Sequence, residues 1–120
     1  MRLFRRYGDP MSIYQELQQA VEDLEATLKA AGLWRVETPA PAAFASAQPF
    51  CVDTMSLPQW LRYVFIARLS STIEEGGALP EKCEVAPAVS AFLQQEGARA
   101  SDQLLVVQRV EHIDSLISGH

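Results

Sequence analysis

Apolar residues recur along the chain with a helical period in four separate runs. In the first, Ile13, Leu17, Ala20, Val21, Leu24, Leu28 and Ala31 fall on one face of a helix predicted from about Ser12 to Ala31. Ser12 with Gln15 three places on forms a capping box, and Gly32 is placed for the left-handed position that ends the helix, folding Leu33 back on Leu28. The acids Glu16, Glu22, Asp23 and Glu25 crowd its polar side. A second helix is predicted from about Leu57 to Glu75. Ser56 and Gln59 form its capping box, Pro58 is tolerated in the first turn, and Gly76-Gly77 stops it. Leu57, Trp60, Leu61, Val64, Phe65, Leu69 and Thr72 make its apolar face. At about 100° per residue Arg68 points between Leu61, Val64 and Thr72, near the middle of that face.

A third, shorter helix is predicted from about Pro87 to Glu96, with Ala88, Val89, Phe92 and Leu93 on one side and Gly97 beyond its end. The fourth begins after Ser101 and runs to about Ile117. Gln103 to Gln108 has strand propensity, but Val106, Val110, Ile113 and Ile117 continue with helical spacing, so helix is preferred. Helices joined without strands imply an all-α protein, a compact four-helix bundle or array. Between helices 1 and 2, Leu33 to Met55 is a Pro/Ala-rich stretch of 23 residues with three prolines and no periodicity. Loops this long inside a compact domain are uncommon and usually functional or disordered. Trp34, Phe44, Phe50 and Val52 are apolar anchors, so an ordered segment wrapped over the bundle is expected.

Composition narrows the class. At 120 residues and 48% hydrophobic, one domain with a real core is expected, and no run reaches the ~18 uncharged apolar residues of a membrane span. The net charge is −5, unevenly placed: residues 1–10 carry net +2, and the rest of the chain carries −7. That balance argues against direct binding of nucleic acid, which needs clustered Lys and Arg to displace counterions. The plainest reading of the basic start is a disordered tail over residues 1–11, with Met11 as an alternative start and a single domain over residues 12–120. Cys51 and Cys83 lie 32 positions apart, outside any metal or redox spacing, and no apolar h-region follows Arg5-Arg6. Cytoplasm, with both thiols reduced, is the expected compartment.

Within and around the long loop the chain resembles a known family. The pattern Leu33-Trp34-Arg35, then Ser46-Ala-Gln48-Pro49-Phe50-Cys-Val-Asp53-Thr54-Met55, then Trp60-Leu61 and Val64-Phe65-Ile66-x-Arg68, closing with Leu79-Pro80 and Val85-Ala86-Pro87, is similar to the YqcC-like family of small bacterial proteins. The resemblance spans about residues 12–115. It implies a compact four-helix domain with no assigned activity, associated by gene neighbourhood with a tRNA pseudouridine synthase.

Candidate chemistry centres on one misplaced charge. An arginine on an apolar face needs a partner, since an unpaired buried charge is expensive. Asp53 lies just before the helix bearing Arg68, so a charge-assisted contact between them is expected, completed by Gln48 or Thr54. This polar cluster either fixes the loop on the bundle or offers Arg68 to a ligand or partner carboxylate. Trp34, Phe44, Phe50 and Trp60 serve as core or as an aromatic partner-binding patch. No catalytic constellation is apparent: Cys51 has no base linked to it, and His112 and His120 share no motif with it. No cofactor loop and no metal-ligand set is present in the sequence.

Two functions are therefore carried forward. One is a non-catalytic accessory or protein-interaction domain, linked by the resemblance to a tRNA pseudouridine synthase. The other is a small-ligand binder or enzyme using a cleft around Arg68, Asp53 and Gln48. A cleft exposing Arg68 favours the second; a buried Arg68 beneath an external apolar patch favours the first. Nothing in the sequence sets the oligomeric state.

Overall fold

A computed structural model of the chain describes residues 12–119, and the expected N-terminal tail lies outside the described residues. Four helices form, with no strand among the described residues. Helix α1 is Ile13–Ala30. Helix α2 covers residues 57–75 as one rod in three stretches, Leu57–Trp60, Leu61–Ile66 and Ala67–Glu75. Helix α3 is Ala86–Gln95 and α4 is Ala100–Gly119.

The local signals act as their chemistry requires. Both capping boxes are made: Ser12 Oγ accepts from Gln15 N–H at 3.2 Å and Gln15 Oε1 accepts from Ser12 N–H at 3.0 Å, and Ser56 and Gln59 repeat the exchange. At the end of α1, Gly32 takes φ +75°, and Leu33 N–H donates to the Leu28 carbonyl at 2.9 Å. These reciprocal closures satisfy donors and acceptors that helix ends otherwise leave unpaired.

The core lies where the apolar stripes meet. Leu17, Leu24 and Leu28 of α1 face Val106, Val110, Ile113 and Ile117 of α4, all at most 1% exposed. Helix α1 also packs on the Ala67–Glu75 stretch of α2, and α3 packs on α4. Val89 and Leu93 of α3 and Leu61, Phe65, Ile66 and Leu69 of α2 complete the cluster. Tyr14 ties the start of α1 to the end of α2, its hydroxyl donating to the Gly77 carbonyl at 2.6 Å.

The middle stretch of α2, Leu61–Ile66, is a π-helix. Its hydrogen bonds skip one residue more than an α-turn, so the face of the rod is rephased by about one residue step, ~100°. On a uniform 100° wheel the buried positions of α2 from Leu61 on spread from Val64 through Leu61, Phe65 and Leu69 to Ile66, an arc of about 200°. The π-turn narrows that spread. The same rotation carries Arg68 off the face, and its side chain is exposed. The expected placement of Arg68 in the middle of the apolar face is thereby corrected, and no charged residue is buried among the described residues.

Candidate functional site

The long loop divides into two parts with different fastenings. Its first part is tied to α2 through Trp34–Thr38. Arg62 lies with its guanidinium 4.4 Å from the centre of the Trp34 ring and donates from Nη1 to the Trp34 carbonyl at 2.7 Å. Lys29 Nζ is 5.6 Å from the same ring. Gln59 Nε2 donates to the Glu37 carbonyl at 2.9 Å, and the Tyr63 hydroxyl donates to the Val36 carbonyl at 3.2 Å. A cation over an indole face, with a charge-assisted hydrogen bond to the same residue's backbone, is a specific clamp. Arg62 was not among the residues singled out from sequence; its (i, i+3) relation to the capping residue Gln59 is the only local hint.

The second part fastens to itself. Two short 3₁₀ turns, Pro41–Ala45 and Pro49–Cys51, fold it over the start of α2. Ser46 is the hub: its hydroxyl donates to the Asp53 carboxylate and accepts from Gln48 N–H at 3.0 Å. Thr54 Oγ1 donates to the Ala43 carbonyl at 2.8 Å. Asp53 and the Gln48 backbone amide thus meet at Ser46, Thr54 bonds the Ala43 and Cys51 carbonyls instead, and Arg68 joins neither set. The expected Asp53–Arg68 pair is replaced by Asp53–Ser46, because the π-turn rotates Arg68 away. Arg68 has no ion-pair partner among the described residues.

Of the four candidate aromatics, two come together. Phe50 stands edge-on to Trp60 with ring centres 4.9 Å apart, and Trp60 stacks on Phe65 at 5.4 Å. Trp34 is engaged by Arg62 instead, and Phe44 is 38% exposed on its own 3₁₀ turn. Phe50 and the following Cys51 both adopt positive φ, 58° and 50°. Side chains other than glycine cost about 1–2 kcal/mol each there. The strain presents the Phe50 ring as a partition between two surface recesses. One, about 400 Å³, lies between the loop and α3 and is lined by Val52, Met55, Leu57, Ala91 and Phe92. The other, about 350 Å³, has Trp60, Phe65 and Val85 in its walls, with Arg68 and Lys82 also lining it. Lys82 is paired with Glu84 at 3.0 Å. The π-turn, the strained pair and the Arg68 guanidinium converge on the two recesses.

A second polar arrangement escaped sequence reasoning. Helix α3 has no side-chain cap of its own, its N-cap being Val85. Asp114 of α4 supplies one: its carboxylate accepts from Val85 N–H at 3.0 Å and Ala86 N–H at 2.8 Å, and from the Cys83 thiol at 3.1 Å. Burial pushes the Cys83 thiol up to about 12, and the adjoining Asp114 carboxylate acts in the same direction. A thiol held protonated is a poor nucleophile. No cluster of three or more His, Cys, Asp or Glu able to hold a metal occurs among the described residues. None of their helices is long and apolar enough to cross a membrane.

Fold and site together define a class: a small all-helical domain strapped by an ordered loop, with apolar recesses at the strap. Within that class the chain belongs to the DUF446 family, whose description reads tRNA pseudouridine synthase C and which it matches over residues 16–116. The protein YqcC of Escherichia coli K12 is 30% identical over 108 residues, 90% of this chain and 96% of its own length. The solution NMR structure of E. coli YqcC superposes with a TM-score of 0.76, covering 90% of each chain at 30% identity. An uncharacterised Haemophilus influenzae protein is 38% identical over 80 residues, 67% of this chain and 76% of that one. A protein named tRNA pseudouridine synthase C from Pectobacterium carotovorum is 36% identical over 70 residues, which is 58% of this chain but 19% of that protein.

Proposed function

We propose that this domain is a non-catalytic accessory that works beside a tRNA pseudouridine synthase by binding it. The observation that carries the reading is the partial match just described. The relative named as a synthase resembles this chain over a minor segment of its length, as expected when an accessory domain and an enzyme occur both as separate chains and as one. The surface is consistent with that role. The strap presents apolar recesses and an exposed Val52, while the acidic body disfavours an independent grip on a phosphate backbone. The test is direct: mix the purified protein with the synthase encoded in the same genome and measure association. Pseudouridine in tRNA is then mapped by carbodiimide reactivity in strains with and without this chain. Association with a loss of modification in the deletion supports the reading; neither effect overturns it.

A second reading, a small-ligand site, is favoured by one specific observation. Arg68 is exposed in the wall of a recess, the arrangement expected of a ligand cleft, although Gln48 and Asp53 do not line it. Binding of a small amphipathic anion that leaves synthase association unaffected would favour it over the accessory role.

A further inference from the structure

Phe50 is shared by both recesses, and this gives the surface a two-socket form. One socket is wholly uncharged, walled by Val52, Met55 and Phe92; the other adds Arg68 and the mutually paired Lys82 and Glu84 to the aromatic tier of Trp60 and Phe65, which leaves Arg68 as its excess charge. Arg68 has no ion-pair partner among the described residues, while the chain beyond residue 10 is net negative. Exposed in the wall of this recess, the Arg68 guanidinium is placed to meet an incoming carboxylate with a charge-assisted hydrogen bond. One compact small molecule would occupy one socket and leave the other empty. A polypeptide segment with two bulky apolar side chains, one on either side of the Phe50 ring, fills both.

From this geometry we propose that the Phe50 strap is a docking groove for an acidic-hydrophobic peptide segment: two apolar anchors straddling Phe50 and an Asp or Glu on Arg68. The inference rests on the accessory reading in one respect, that the segment belongs to a protein partner. Backbone strain at Phe50 and Cys51 fits the assignment, since it holds the partition upright in the absence of the partner and spares the complex that ordering cost.

The groove is tested without assuming which protein carries the segment. A random twelve-residue peptide library is selected against the full-length protein and counter-selected against Arg68→Glu. The expected result is enrichment of peptides with two bulky apolar residues and at least one acid, binding Arg68→Glu about tenfold or more weakly. Val52→Glu, at a position 70% exposed and so tolerant of charge, should weaken the same peptides while leaving circular dichroism and melting unchanged. Enriched peptides that bind both variants as well as wild type, or no enrichment at all, overturn the groove. Decanoate binding as tightly as the best peptide overturns the peptide in favour of a small amphipathic anion. In parallel, the synthase is titrated against the same variants. Synthase binding insensitive to both substitutions removes the groove and leaves the accessory role standing. Peptides of the stated pattern with no synthase binding remove the accessory role and leave the groove.

Discussion

Asp114 performs a task that α3 cannot perform for itself. Pro87 in the first turn has no amide hydrogen, and Val85 has no side-chain acceptor, so the amides of Val85 and Ala86 depend on a carboxylate reaching over from α4. Replacing Asp114 with Ala leaves both amides and the Cys83 thiol without that acceptor. An amide stranded in a half-buried site costs about 1–3 kcal/mol, and charge-assisted bonds lie toward the upper end. Solvent reaching this partly exposed site reduces the sum, so Asp114→Ala should cost about 2–4 kcal/mol. Asp114→Asn keeps one acceptor oxygen and should cost roughly half as much. Urea unfolding followed by circular dichroism reads the loss. With a slope of about 1–3 kcal/mol per molar, the Ala variant's midpoint should fall by roughly 1–2 M with the slope unchanged. Native-state hydrogen exchange supplies the local signature, faster exchange at Val85 and Ala86. A midpoint within 0.2 M of wild type (roughly, on that slope), with those two amides still protected, would refute the bridging role.

The remaining predictions follow from the same contacts. Because the folded Cys83 thiol is pushed up to about 12 from an ordinary 9.0, the unfolded chain releases its proton first on raising the pH. Stability from this group is therefore intact below about pH 9 and lost toward pH 12, and the difference between wild type and Cys83→Ser melting should narrow across that window. Iodoacetamide at pH 8 should alkylate Cys51 before Cys83, read by mass spectrometry of the digest; equal rates would contradict the Asp114 contact. Arg62→Ala should cost about 1–2 kcal/mol and release Trp34, seen as a red-shifted emission in a Trp60→Phe background. Arg62→Lys should recover only part of that. Asp53→Ala, which removes an exposed bond to Ser46 and no ion pair among the described residues, should cost about 1 kcal/mol or less. Cys51→Gly should be neutral or stabilising by up to about 1 kcal/mol, the reverse of the usual cost of glycine, because φ is positive there.

What was legible in the sequence is what short-range chemistry specifies. The capping boxes at Ser12 and Ser56 and the Gly32 closure each need residues no more than five apart, and all three form as read. The helical face of α1 was equally plain, because Leu17, Leu24 and Leu28 keep a steady 3.6-residue phase; that of α4 was legible only because Val106, Val110, Ile113 and Ile117 outweigh the strand propensity of Gln103 to Gln108. The α3 cap was not legible. Asp114 is 28 residues from Ala86 and carries no local mark separating it from a solvated acid. Nor was the strain at Phe50 and Cys51, since neither residue type announces a positive φ.

The Arg68 misplacement has a sharper cause. A helical wheel assumes a constant angle per residue, and α2 breaks that assumption between Leu61 and Ile66. Six residues of wider turn suffice to move a charge from the middle of a buried stripe to the mouth of an open recess. The apolar pattern itself contained the evidence: on a uniform wheel Val64 and Ile66, both buried, stand about 160° apart. A rod that buries both must either bend or slip one residue in phase. The buried positions favour the slip, and that makes the π-turn a condition of the site. Without it, Arg68 would need an internal carboxylate such as Asp53; with it, Arg68 is left for a carboxylate from outside. A substitution that closes the π-turn to α-helical hydrogen bonding at unchanged length should therefore expose Leu69 and Ile73 while carrying Arg68 inward, whereas deleting one residue within Leu61–Ile66 removes the bulge and keeps the downstream phase. A lower melting temperature and loss of peptide binding should follow together in the first variant, and a substitution that lost one without the other would separate the site from the turn that positions it.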